Sequence, residues 1–251
     1  MHDSIIEKNL AVLRAQTLGD PAVCVAVLDG PVDLSHPCFA GARLSVVETV
    51  VPNAAGDDGA SRHGTHVASV VFGLAPGCRG LIVPVFSPGE SLGCPQLELA
   101  RAIEQACDHG AQVINVSAGE LTEHGIPDAF LQAALQRCAR DGVLIVAAAG
   151  NDGCACLHVP AAVDSVLAVG ALDGSGRPLA SSNWAASYRS HGILAAGEDV
   201  PGALPGGGLT VRTGTSFAAA VVSGVAALLL SLQRQRGQEP DPRRVRAALL
   251  A

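Results

Sequence analysis

Aromatic side chains are scarce, with one Trp, one Tyr and five Phe in 251 residues. That excludes a core built on stacked rings and leaves the packing to Ala, Val, Leu and Ile. Positive charge is also short. Sixteen Lys and Arg against 23 Asp and Glu give a net charge of −7. A nucleic-acid partner would need a basic face, and this balance argues against one. There is no run of Lys or Arg to suit an anionic membrane surface. No apolar stretch follows a basic one near the N-terminus, so no signal peptide is read there. The longest apolar run, Val221 to Leu232, is broken by Ser223, Gly224 and Ser231 and is too short for a membrane span. The expectation is a cytoplasmic protein with neither a membrane nor a nucleic acid as partner. Cys154-Ala155-Cys156 has no CxxC or His partner at zinc spacing, so no metal site is expected, and no other cofactor is called for.

What is present is glycine, aliphatic sequence and, less usually, eight cysteines. Cys24, Cys107 and Cys138 sit in apolar company and read as small buried hydrophobes. Without an export signal the thiols are expected to be free. Cys154-Ala155-Cys156 is the pair whose state stays open. Short β-branched runs at Val23–Leu28, Leu81–Phe86, Val113–Val116, Leu144–Ala148 and Val166–Gly170 read as buried strands. Helical spacing appears over Thr65–Phe72, Gln96–His109 and Pro127–Arg140, with Gly110 and Gly142 placed to end the last two. A further helix starts at Asp241-Pro242. Apolar strands alternating with helices predict an α/β protein whose parallel sheet is covered on both faces. Nothing divides the chain, so residues 1–251 are expected to form one domain, with its core over about 20–235.

Three segments carry chemistry. Val25-Ala26-Val27-Leu28-Asp29-Gly30 is a strand ending in an acid. His63-Gly64-Thr65-His66 and Gly214-Thr215-Ser216-Phe217 each open a helix. Taken singly, Asp29 reads as a turn cap, His63 as a helix-start histidine and Ser216 as an N-terminal serine. As a set they are what acyl transfer requires. A serine hydroxyl needs a base to take its proton, imidazole is that base near neutral pH, and a buried carboxylate holds its tautomer. A helix start at Ser216 also favours a developing oxyanion. Asn151, after the apolar run Leu144–Ala148, can present a second donor; its alternative is a plain Asn-Asp-Gly turn.

The chain order Asp, His, Ser and these motifs resemble the subtilisin-like serine peptidases. The likeness runs from about Val23 to Leu232. It implies a three-layer αβα fold with a mostly parallel central sheet. It also implies Asp29, His63 and Ser216 as triad, Asn151 as oxyanion donor, and a peptide substrate. Ser117, Ala118 and Gly119 then resemble the segment that pairs with an extended substrate and lines the S1 pocket; a strand-to-loop exit is the plainer reading. Ser91, Gly93 and Cys94 resemble the opposite edge, and Asp152 with Gly153 the pocket rim. An acid at 152 would favour a basic residue in that pocket, unless it is simply a solvated turn acid.

Asp29-Gly30-Pro31-Val32-Asp33-Leu34-Ser35-His36-Pro37-Cys38-Phe39 and Gly150-Asn151-Asp152-Gly153-Cys154-Ala155-Cys156-Leu157-His158-Val159-Pro160 are similar to the PatA/PatG group. Those proteases mature ribosomally made cyanobactin precursor peptides, by leader removal or by macrocyclisation. The macrocyclases carry a helical insertion between the Asp and the His. Here 34 residues separate the two, too few for it. The likeness therefore favours leader removal. An acyl-transferring macrocyclase, a catalytically silent peptide-binding module and a thiol enzyme using Cys154 or Cys156 are the competing readings.

Two departures from the wider family stand out. Ala220 replaces a proline common after the nucleophile. Val67–Pro76 runs on without the acidic insert that forms a calcium loop in many relatives. EDTA is therefore expected to leave the melting temperature unchanged; a large drop would contradict that.

Overall fold

The computed structural model describes residues 5–47, 49, 51–86 and 94–251. Seven strands form the central sheet: β1 (Cys24–Asp29), β2 (Arg43–Val46), β3 (Arg79–Pro84), β4 (Val113–Val116), β6 (Leu144–Ala148), β8 (Leu167–Leu172) and β9 (Gly192–Ala196). Their order is β2-β3-β1-β4-β6-β8-β9, and every neighbouring pair is parallel. β5 (Glu120–Thr122) and β7 (Leu157–Val159) pair beside it, and β10 (Val200–Leu204) and β11 (Gly208–Arg212) form a hairpin.

Strand β1 shows why the sheet lies buried on both sides. Cys24, Ala26 and Leu28 face one apolar cluster, while Val23, Val25 and Val27 face another. Helices α3 (Gln96–Asp108) and α4 (Ala129–Asp141) cover the first face. Helices α2 (Gly59–Leu74), α6 (Thr215–Gln235) and α7 (Pro242–Leu249) cover the second. Helix α1 (Ile5–Gln16) packs on α6, and the short α5 (Tyr188–His191) leads into β9. The result is the three-layer αβα arrangement. By length and composition α6 could cross a membrane, but 78% of its most apolar window is buried inside the protein. Its apolar surface is already used by the core.

From β1 the chain goes out to the edge strand β2, comes back to β3 beside β1, then crosses to β4 on the other side of β1. The carboxyl end of β1 is thus the point where strand order reverses, and a crevice opens at such a point. Asp29 is the last residue of β1. Helix α2 starts earlier than its apolar spacing suggests, because Asp58 caps it by accepting from the Ser61 amide at 3.0 Å. His63 therefore falls within α2 and not ahead of it.

The helix start meets the strand end through two glycines. A Cβ on Gly64 would lie 2.2 Å from the Gly30 carbonyl oxygen, and one on Gly30 would lie 2.1 Å from the Ala60 oxygen. Only backbone fits between these segments.

The expectation of free thiols holds for Cys24, Cys38, Cys78, Cys94, Cys107 and Cys138. Cys154 and Cys156, whose state the sequence left open, form a disulfide. Two residues of separation bring their Cα atoms to 5.1 Å, within reach of a bridge. Paired sulfurs offer no thiolate, so the thiol-enzyme reading loses its nucleophile.

Gly64→Ala should be severely destabilising, by about 3 kcal/mol or more, since backbone atoms must shift to admit the methyl group. Urea unfolding at fixed pH measures this. A loss below about 1 kcal/mol would mean that the contact yields easily.

Candidate active site

Asp29 is fully buried, and its Oδ1 accepts from the Gly30 amide and from His63 Nδ1, both at 2.7 Å. A carboxylate there requires the proton on Nδ1, which leaves Nε2 as the basic nitrogen. Asp29 Oδ2 is buried without a hydrogen-bond partner. The imidazole is 6% exposed and lies between Phe217, with ring centres at 5.4 Å, and Phe86 at 6.5 Å. These rings fix its tilt.

His63 and Ser216 line one cleft of about 470 Å³, together with Asn151. Ser216 lies in the first turn of α6. No hydrogen bond joins its hydroxyl to His63 Nε2 in this conformation, the one contact of the set still open. Such bonds are often long before substrate arrives.

The oxyanion side follows from hydrogen-bond bookkeeping. Asn151 Oδ1 accepts from the Thr215 amide at 2.9 Å and from Thr215 Oγ1 at 3.2 Å. An acceptor must face those donors, so the NH₂ group is the one turned to the cleft. At the start of α6 the amides of Phe217 and Ala218 donate to the Gly214 carbonyl. The Ser216 amide has no acceptor among the described residues. Asn151 Nδ2 and Ser216 N are thus two free donors beside the hydroxyl, the arrangement that stabilises a tetrahedral oxyanion.

Ser117, Ala118 and Gly119 line the same cleft where β4 ends. The fully buried Asn115 holds this exit by donating to Ser117 Oγ at 3.0 Å and accepting from Ser223 on α6 at 2.9 Å. Asp152 also lines the cleft, but its carboxylate is committed. Oδ2 accepts from Asn183 at 2.9 Å and from His158 at 2.7 Å, and these contacts hold its pKa below the usual carboxylate range. Its side chain stays 44% exposed, as a solvated turn acid would, but these contacts make it a brace of the wall more than a free charge for a basic substrate residue. Gly153 does not line the cleft. Its amide donates to the Ser181 carbonyl at 2.8 Å, which turns it toward a neighbouring loop. Cys94 is 4% exposed, with its side chain in the apolar core, and does not line the described cleft. Ser91 and Gly93 fall outside the described residues.

Arg212 and Thr213 line the cleft but stand in none of the segments singled out in the sequence, while His158 and Phe217 stood in such segments without a role. Arg212 and Thr213 directly precede Gly214-Thr215-Ser216, so proximity in sequence was their only signal. His158 reaches the wall through the β5–β7 pairing, which no local pattern announces.

An α/β sheet with an Asp, a His and a Ser in that chain order at its switch point defines a subtilisin-like serine-peptidase scaffold. The Subtilase family model matches residues 20–251, and the chain belongs to that family. It is 32% identical over 228 residues to the Thermophilic serine proteinase of Bacillus sp. (strain AK1), covering 87% of this chain and 54% of that protein. The chain thus spans about half the length of that curated relative. Among solved structures it resembles the prenylagaramide maturation protease PagA, with 54% identity and a TM-score of 0.90, over 96% of this chain and 86% of that one. It also resembles the PatG macrocyclase in complex with peptide, with 32% identity and a TM-score of 0.87, over 99% and 89%.

One further histidine supports the site. His66 is fully buried one turn after His63, and its Nε2 bonds the Val200 carbonyl at 3.0 Å. Burial pushes its pKa down from 6.5 to about 4. The unfolded chain therefore takes up a proton that the folded one refuses. Stability is full above about pH 6.5 and falls as pH drops toward about 4. His66→Asn should flatten this part of the curve, by on the order of 2 kcal/mol across the window. Thermal unfolding from pH 7 to pH 4 checks it; equal slopes for both proteins would exclude the assignment.

Proposed function

We propose that this protein is a serine endopeptidase that works through an acyl-enzyme. The observation that carries the reading is the buried 2.7 Å bond between Asp29 and His63, whose other ring nitrogen opens on the cleft shared with Ser216 and Asn151. His63 Nε2 takes the proton of the Ser216 hydroxyl as Oγ attacks the scissile carbonyl. Asp29 compensates the charge the ring then carries. Asn151 Nδ2 and the Ser216 amide receive the oxyanion. His63 returns the proton to the departing amine, and water then releases the acyl group by the same steps in reverse. An extended peptide would lie along Ser117–Gly119 by main-chain pairing.

The substrate class we favour is a ribosomal precursor peptide that loses its leader here. Two observations support this: the likeness to PagA, which is a maturation protease, and the interval from Asp29 to His63. Among its described residues that interval holds β2 and a single 3₁₀ turn at Pro37–Phe39, with α2 beginning only at Gly59. Nothing there caps the cleft, so water reaches the acyl-enzyme and hydrolysis outruns transfer to an amine. We read the chain as one peptidase domain. A cytoplasmic setting would suit both a ribosomal substrate and six free thiols.

A fluorophosphonate should label the wild-type protein and fail on Ser216→Ala. Asn151→Ala should keep the label but lose about 100- to 1000-fold in kcat, the cost known for this donor in subtilisin. Mass spectrometry of cleaved peptide libraries would show linear products. Products lacking one water would support the macrocyclase reading. Labelling that persists in Ser216→Ala would end the serine mechanism.

A further inference from the structure

One charge in the cleft has no partner among the described residues. Arg212 ends β11 four residues before Ser216 and lines the cleft with His63 and Ser216. It is half-buried, yet among the described residues its guanidinium has neither an ion pair nor a hydrogen bond. The charges it feels most are those of Arg62, which repels it, and Asp29, which is already bonded to His63. Burial and Arg62 together hold its pKa below the usual value. Arg62 itself is paired with Asp57 at 2.7 Å. Across the cleft Asp152 is engaged by His158 and Asn183. A half-buried, unpaired guanidinium costs stability, which is a reason to look for an anion that completes it.

Its position says where that anion would come from. His63 must hand a proton to the departing amine, so the chain beyond the cleaved bond leaves past His63. Asn151 and Ser117–Gly119 hold the other, acyl side. Arg212 stands on the His63 side. Its strand is registered there, since Arg212 pairs with Val200, whose carbonyl is bonded by His66 of α2. The cation is therefore carried on a hairpin tied to the helix that carries His63.

We propose that Arg212 is a specificity-determining residue that binds a carboxylate in the first residues of the leaving segment. The inference rests on the peptidase reading above and adds a substrate class to it: precursors acidic just beyond the cleavage point. The planar guanidinium suits two-point binding of a carboxylate. That carboxylate is either an acidic side chain or the chain terminus of a short leaving segment.

The test uses peptides with Glu, Gln or Lys at the first or second position after the cleaved bond, each with an amidated or a free C-terminus. Expected is a kcat/KM about fivefold higher for Glu than for Gln, shrinking as salt is raised. In Arg212→Gln the ratio should fall to about one, and Arg212→Glu should favour Lys. If only the free-terminus peptides gain, the carboxylate is the chain end. Dissociation constants for the same peptides in the Ser216→Ala background, with and without Arg212→Gln, read the interaction without catalysis. A Glu preference in binding with no cleavage by the wild type would sink the peptidase reading and leave Arg212 only as a carboxylate-binding residue. A Glu-to-Gln ratio near one in both measurements, or a preference that survives Arg212→Gln, would overturn it.

Discussion

The active-site geometry depends on how closely the first turn of α2 approaches the end of β1. The hydrogen bond between Asp29 and His63 is 2.7 Å long and almost wholly buried. A side-chain bond of that kind needs its two backbones held to within a fraction of an ångström. Here the hold is direct, because Gly30 and Gly64 let main chain touch main chain with no side chain between. The constraint reaches further than the two residues. Asp29 sits at the end of a strand flanked on both sides by parallel neighbours, and α2 is packed against α6. Ser216 starts α6. One rigid unit of strand and two helices therefore carries all three groups, and small Ala and Val side chains let the layers lie close.

The buried parts of this arrangement were legible in the sequence, and the reason is physical. Strands covered on both faces read as unbroken aliphatic runs, so β1, β3, β4, β6 and β8 could be located within a few residues. Helices α3 and α4 show an apolar stripe and end at or near a glycine of positive φ, Gly110 or Gly142. Exposed elements gave no such signal. β2 and β9 are the sheet edges, and their mixed burial removes the run. The hairpin β10–β11 contains Pro201 and several glycines and looks like a loop until its register is known. Among the site residues, Asp29, His63, Ser216 and Asn151 were legible because chemistry restricts which residue types can serve. Likeness to an edge strand says nothing of which way a side chain faces, and that of Cys94 turns inward.

The structure also revises what the cleft walls are for. In the sequence Asp152 could be read as a solvated turn acid or as a selector of basic residues. In the fold it is one corner of a polar frame with His158 and Asn183. Asn183 also reaches the Ala149 carbonyl at 3.1 Å, just ahead of Asn151. Tyr188 adds a hydroxyl to the same carbonyl at 3.3 Å. The Cys154–Cys156 bridge closes the same loop. These contacts act on the segment that presents Asn151 Nδ2. An oxyanion donor must be in place before charge develops, since reorganisation during reaction would cost the stabilisation it supplies. The acid at this rim is better understood as support for the donor than as a recognition group.

The opposite rim works by a different economy of charge. His66 is kept neutral and buried at the junction of α2 and the hairpin, so it ties the two without adding a cation next to His63. Arg212 on that hairpin has no partner among the described residues. A wall whose acid is satisfied internally has little electrostatic preference to offer a substrate. A wall with an unmatched cation does, and it stands on the side from which the amine departs. Selectivity between charged peptides should therefore be weak on the acyl side and concentrated beyond the cleaved bond. A leader protease would then read the start of the segment it releases as well as the leader it removes.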